Sequence, residues 1–314
     1  MADQAIGIGT GTRERHGRQW LRVFVVGLLL WVASVVVTFA TGNTNLVPTV
    51  ILLGSFLVPV TFVVYAFERH ADQVVTAQRI FAAFVYGGVL GVLGASVLEA
   101  AFLKQPSVAT YLGVGLIEEA VKLAALWLLA RQLPRYTMRD GIVLGAAVGF
   151  GFAALESAGY AFNALFTMEG LSLENLVETE VLRGLLTPLG HGLWTAILGG
   201  VLFRTAAEGG RLRLSGALVG WYVVVAGLHA LWDASRPIAV WLTLLLTATQ
   251  VQWLMIRMGR VPQPSQAQVH TFTTLTWGLL LLDVLLGVAV LRGRWRQALA
   301  LEHAQPASRP PLHS

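Results

Sequence analysis

The sequence predicts an all-α fold, a polytopic transmembrane helical bundle of about eight or nine spanning helices, and three observations predict it. Of the 314 residues, 55% are hydrophobic and only 12% are charged. The mean hydropathy of +0.67 lies well above that of an ordinary soluble domain of this length. Apolar stretches of about twenty residues, the length a helix needs to cross the hydrocarbon core, recur along the chain with arginines gathered at their ends.

Nine such stretches can be marked, at 20–40, 46–67, 80–102, 108–130, 141–165, 184–203, 215–235, 237–256 and 271–291. The first is longer than the apolar region of a cleaved signal and is not followed by a small-residue cleavage site, so it is expected to stay as a signal anchor. With the N-terminus in the cytoplasm, Arg69 and Arg79, then Arg131, Arg135 and Arg139, then Arg204, Arg211 and Arg213 fall inside, as the positive-inside rule requires. The net charge of +5 is thus a topology signal and not a nucleic-acid patch. Arg292, Arg294 and Arg296 break the pattern, because nine crossings would put them outside. Either that end is external or one marked stretch does not cross.

The bundle is expected over 20–292, between a mobile cytoplasmic segment at 1–19 and a flexible tail at 293–314, with the functional core at 108–235. The acidic stretch 167–180 reads as an external connection that could form a short surface helix, and 257–270 as a polar loop. The early GIGTGT has neither a preceding strand nor a following GK[ST], so it is no phosphate loop. Gly141, Gly145 and Gly149 recur every fourth residue, followed by Gly151, a pattern that lets another helix approach closely. No internal repeat is visible. The chain has no cysteine, so any metal must be held by His and carboxylates.

The informative stretch is GLIEEAVKLAALWLLA, where Glu118, Glu119 and Lys122 interrupt an apolar run. A central charge costs roughly 2.5–3.5 kcal/mol on insertion scales and each large aliphatic residue returns only roughly 0.3–0.6. Other groups in the bundle must satisfy these three. Candidates recur in later stretches: Glu156, His191, and His229 with Asp233. Counted from the span midpoints at about 1.5 Å per residue, all except Asp233 fall within about 6 Å of the depth of Glu118. Glu118 and Lys122, and His229 and Asp233, are four residues apart and share helix faces, whereas Glu118 and Glu119 diverge by about 100°. One glutamate can therefore pair with Lys122 while the other faces a cavity. Lys122 is one of two lysines in a chain that otherwise uses arginine, which suits a position needing a compact ammonium. The first three stretches and the last two read as simply hydrophobic.

These motifs resemble the PrsW family of intramembrane proteases, related to the CAAX prenyl proteases and bacteriocin-processing membrane enzymes. The family's EExxK matches Glu118, Glu119 and Lys122, its FxxxE matches Phe152 and Glu156, and its HxxxD matches His229 and Asp233, with His191 between. The resemblance covers about residues 108–235. Ser157 stands where the resemblance leads one to expect Asn.

The resemblance implies hydrolysis of peptide bonds in membrane-anchored proteins, an anti-sigma factor being one candidate substrate, at the cell membrane. Such a reaction needs a water, a base and donors for the developing oxyanion. Burial favours the neutral form of a carboxylic acid and Lys122 favours the carboxylate, so a glutamate here can both take and release a proton. Glu118 is the expected base and Glu119 the partner of Lys122. Glu156 is expected to help hold the water, His191 and His229 to position it or stabilise the oxyanion, and Asp233 to orient His229. Two histidines and one carboxylate, with Glu156 the expected carboxylate beside His191 and His229, also suit zinc with an open position, although no HExxH is present. The glutamate-type and metal-dependent readings both stand. The competing class is an ion- or proton-coupled transporter using the same buried network.

Overall fold

A computed structural model describes residues 18–70, 74–104 and 108–304. The N-terminal segment expected at 1–19 therefore lies outside the described residues except for Arg18 and Gln19. The chain folds as an all-α bundle. Its elements are α1 (Gln19–Thr41), α2 (Val47–His70), α3 (Ala77–Phe102), α4 (Val108–Ala130), α5 (Met138–Leu165), α6 (Leu173–Leu186), α7 (His191–Gly209), α8 (Gly216–Asp233), α9 (Ser235–Thr247), α10 (Gln250–Arg257) and α11 (Gln266–Ala304). A two-residue ladder, β1 (Phe166–Thr167) with β2 (Gly170–Leu171), makes the turn between α5 and α6.

Local chemistry sets the helix ends. The side chains of Thr76, Thr137, Ser172 and Ser215 accept the first free backbone N–H groups of α3, α5, α6 and α8. Gly42 and Gly210 end α1 and α7 in the left-handed conformation, at φ 64° and 71°. Seven helical stretches among the described residues are long and apolar enough to cross a membrane. α4, at 23 residues, has the length of a span and carries the three charges in its middle.

At the centre, α5 packs on α7 more extensively than any other pair of helices, and then on α3. The glycine pattern makes this contact. A Cβ at Gly141 would lie 2.2 Å from the carbonyl oxygen of Gly199, one at Gly145 2.4 Å from that of Thr195, and one at Gly149 2.2 Å from that of His191. Gly151, on another face, lies against Phe84 and Gly88 of α3 in the same way. α5 is thus buried along most of its length while α1 and α11 lie on the periphery.

The helices differ from the marked stretches in three places. The stretch 184–203 breaks at a 3-10 turn, Thr187–Leu189, so α7 begins at His191 inside the bundle; Pro188 removes a backbone donor at that break. The connection expected as a surface helix becomes α6, which buries Leu176 and Glu180 against the bundle. The stretch 237–256 is not one helix. α9 continues outward from α8 after Ala234, and α10 follows with a capping box at Thr249. The Gln268 amide at the start of α11 reaches the carbonyl of Thr247 and the side chain of Gln252, so α11 returns antiparallel to α8 and α9 together.

Consequently the far end of α11 meets the ends of α2 and α5. Trp295 packs edge-on to His70 at 5.4 Å, and Glu302 pairs with Arg139 at 3.4 Å. The arginines at 292–296 thus lie on the same face as the other arginine-rich ends, which removes the exception to the charge pattern. Of the tail expected at 293–314, residues 293–304 are helical, with Trp295 on His70, Ala298 against α5 and Glu302 on Arg139, and residues 305–314 lie outside the described residues.

Candidate active site

α4, α5, α7 and α8 bring all seven residues of the polar constellation together. Close approach of α4 to α8 depends on Gly115, where a Cβ would lie 2.6 Å from the carbonyl oxygen of Ala226. Nearby the Tyr222 hydroxyl donates to the carbonyl of Leu116 at 2.6 Å. This seats His229 against the acidic face of α4.

The two glutamates of α4 diverge as their spacing requires. Glu119 is wholly buried and accepts from Lys122 Nζ at 2.7 Å and from His229 Nδ1 at 3.0 Å, both through Oε1. Glu118 keeps its carboxylate at a cavity wall. Its Oε2 lies 3.2 Å from Lys122 Nζ, 3.6 Å from His229 Nε2 and 3.8 Å from His191 Nδ1, and accepts no hydrogen bond. Lys122 Nζ also lies 2.9 Å from His191 Nδ1 and 4.1 Å from the centre of the Phe152 ring.

Each histidine is held by one carboxylate and turned toward another. His191 Nε2 lies 2.9 Å from Glu156 Oε2, so that nitrogen carries the donated hydrogen and Nδ1 faces Lys122 and Glu118 with a lone pair. By the same reasoning His229 donates from Nδ1 to Glu119 and presents Nε2 toward Glu118. Trp194 stacks on His229, with ring centres 4.5 Å apart. Asp233 is the most exposed of the constellation, with its Oδ2 3.6 Å from His229 Nε2.

Several participants were not singled out by sequence reasoning. Arg183 of α6 ion-pairs with Glu156 and donates from Nε to Ser157 Oγ at 2.9 Å. Only the packing of α6 on α5 turns it inward. Ser157, in place of the expected Asn, supplies that contact and lies 3.4 Å from Thr187 Oγ1. Trp194 sits one turn beyond His191, a spacing that could have flagged it. Glu99 and Asp283 were visible as acids in apolar runs. Glu99 lines the cavity beside Glu118, and Asp283 is fully buried on α11. The first three stretches and the last are therefore not simply hydrophobic.

The cavity holds about 580 Å³ and reaches from Glu118, Glu156 and Asp233 to Glu99, Tyr111 and Asn163 near the ends of α3, α4 and α5 opposite the arginine-rich face. Substrate-sized space thus meets the Glu118 carboxylate from that half of the bundle.

Residues 21–258, more than half of the chain, match the PrsW family, described as intramembrane metalloproteases. The chain belongs to the PrsW family. A relative named Protease PrsW, from Halalkalibacterium halodurans, is 29% identical over 153 residues, which cover 47% of this chain and 65% of the relative. The match thus spans slightly less than two thirds of the relative's length. No solved structure matches.

The PrsW description raises the question of a metal. One oxygen of Glu118 and one nitrogen each of His191 and His229 lie within 4.8 Å of one another, a donor set that suits zinc with an open position. Glu118 Oε2 accepts no hydrogen bond, and each histidine has a carboxylate on its far nitrogen, as metal-bound histidines do. The residues fit a divalent cation once Lys122, whose Nζ lies 2.9 Å from His191 Nδ1, gives up that contact. Glu156, expected as the carboxylate ligand, instead bridges Arg183 and the far nitrogen of His191. Charge points the same way: four carboxylates, Glu118, Glu119, Glu156 and Asp233, face two cations, Lys122 and Arg183. Protons or a divalent cation must meet the excess.

Proposed function

We propose that this multi-pass membrane protein is an intramembrane peptidase that cleaves membrane-anchored proteins, with Glu118 as the general base. The observation that carries the reading is the Glu118 carboxylate. It stands at the wall of a cavity of about 580 Å³ and faces a nitrogen of each histidine.

In this reading a water beside Glu118 is held by His229 Nε2, and Glu118 takes its proton as the oxygen attacks the peptide carbonyl. The proton then passes to the leaving amine, which restores the carboxylate. Lys122 holds positive charge 3.2 Å from Glu118 and opposes charge developing on the carbonyl oxygen. Glu119 compensates Lys122 and fixes the His229 ring, while Glu156 with Arg183 fixes His191. Asp233 lines the same cavity with Oδ2 3.6 Å from His229 Nε2 and orients the water there. A bound metal, held by Glu118, His191 and His229, would supply Lewis acidity to the water and carbonyl.

The cavity favours a substrate chain that unwinds in the half of the bilayer away from the arginine-rich face, since a regular helix keeps its carbonyls in hydrogen bonds. The arginine distribution supports a cytoplasmic side for that face and for the N-terminus. An anti-sigma factor is a candidate substrate through the PrsW resemblance.

Reconstitution with a single-span substrate tests the reading, with cleavage and ion flux followed in the same vesicles. Cleavage without flux, abolished by Glu118→Gln, is expected. Flux without cleavage would make the protein a transporter and overturn the proposal.

A further inference from the structure

A second cavity lies on the opposite side of α5 and α7 from the catalytic one. It is a groove of about 530 Å³ bounded by α2, α5, α7 and α11. α11 leans on α9 and touches α5 only lightly, which leaves the groove open along the side of the bundle. Its walls are apolar, with Phe62, Ala146 and Leu291 among them, and its inner end is closed by Pro188 and Gly192 beside His191. The groove runs along α5 from Ile142 to Phe150, eight residues or about 12 Å of helix. That approaches the depth of one leaflet, about half of a hydrocarbon core of about 30 Å.

The outer end of the groove has a different character. Arg292 and Arg296, one helical turn apart and both exposed, line it together with Tyr65 and Trp295. Neither guanidinium pairs with an acidic side chain among the described residues. Neighbouring arginines are engaged otherwise: Arg139 pairs with Glu302, and Arg294 turns away to stack on Trp221 at 4.1 Å. Two cations with aromatic neighbours at the end of a one-leaflet apolar groove match the anatomy of a phospholipid, a phosphate above an acyl chain.

We infer that this groove binds a phospholipid of net negative headgroup, its phosphate on Arg292 and Arg296 and one acyl chain lying between α2 and α11 down to Pro188. The face concerned is the arginine-rich one, where anionic lipid in the cytoplasmic leaflet is attracted to basic residues.

Trp295 reports on the site. The protein is placed in nanodiscs of phosphatidylcholine containing a minor fraction of brominated phosphatidylglycerol or of brominated phosphatidylcholine, and a Trp295→Phe protein is subtracted to isolate Trp295 among the ten tryptophans. The brominated anionic lipid is expected to quench Trp295 several-fold more than the same fraction of the zwitterionic one. The Arg292→Gln/Arg296→Gln double variant, checked for an unchanged melting temperature, should lose that preference, whereas Arg294→Gln should keep it. Equal quenching by both headgroups, or a preference that survives in the double variant, overturns the inference. Relief of quenching by soluble glycerol phosphate would reduce the site to a phosphate site without a chain and overturn the lipid assignment. Displacement by a single-span peptide in phosphatidylcholine alone would make the groove a protein-docking surface, with the same consequence.

Discussion

Glu118 and Glu119 are adjacent in the chain and chemically identical, yet only Glu119 is sealed between a lysine and a histidine. Glu118→Gln should leave the melting temperature in detergent unchanged or raised, since it removes a carboxylate whose Oε2 accepts no hydrogen bond. Cleavage should fall by about 10²–10⁴-fold, the usual contribution of a general base. Glu119→Gln should instead lower the folded yield, because breaking a buried pair costs about 3–5 kcal/mol. Measuring melting temperature and cleavage on both proteins separates the roles; normal cleavage by a well-folded Glu118→Gln would remove the base assignment. In the proposed mechanism Arg183, which pairs with Glu156, is a positioning residue. Arg183→Gln should reduce cleavage about 10–100-fold, in line with other residues that support a ligand's partner. Arg183→Lys, which keeps the charge and one contact, should recover part of the rate, and a substrate-saturated assay should show the loss in kcat with little change in KM.

The α5–α7 contact is the element on which the site depends, because it sets the depth of His191 relative to Glu156. The carbonyl oxygens facing Gly141, Gly145 and Gly149 belong to the helix backbone and cannot swing aside. Gly145→Ala is therefore expected to destabilise the protein by about 1–3 kcal/mol, as overpacking does. Gly278→Ala, at a position in α11 where nothing lies within 4 Å, should leave stability unchanged. Thermal melts of the two variants in one detergent make the comparison, and equal behaviour would mean the close packing is not limiting. The break at Thr187–Leu189 matters for a related reason. It lets α6 turn Arg183 inward while α7 starts anew with His191, so one interruption of helix supplies two parts of the site.

For the molecule as a whole, the path of α11 decides the topology. With α9 continuing α8 and α11 returning beside both, residues near 300 and the α4–α5 connection share one face, while α6 begins near the other. The chain has no native cysteine, so single cysteines at Gln132, Ala300 and Glu174 can be labelled without background. An impermeant reagent should reach the first two from one side of sealed vesicles and the third from the opposite side. Labelling of Ala300→Cys together with Glu174→Cys would overturn the antiparallel return of α11. Metal dependence is likewise a property of the assembled site. If the cation is held by Glu118, His191 and His229, Glu118→Gln should lower zinc content measured by elemental analysis, whereas Asp233→Asn should leave it unchanged.

The all-α membrane fold and the group of Glu118, Glu119, Lys122, Glu156, His191, His229 and Asp233 that the helices bring together were legible in the sequence. Each rests on a local energy: transfer of apolar side chains into lipid, the high cost of a charge within a span, and the angular spacing of neighbours on one helix. Such energies depend on a residue and its near neighbours, so reading along the chain recovers them. What required the tertiary structure was which atoms meet. That Glu118 and not Glu156 faces both histidines, that Arg183 belongs to the site, and that α11 carries its arginines back to the other basic ends all follow from how helices cross. Those crossings are set by backbone contacts at Gly115, Gly145 and Gly149 and by helix breaks at residues 187–189 and 234. A carboxylate at hydrogen-bonding distance and one a few ångströms farther away have the same spacing in sequence and different chemistry, because hydrogen bonds and ion pairs are decided over tenths of an ångström to a few ångströms, a scale fixed only when the helices have packed.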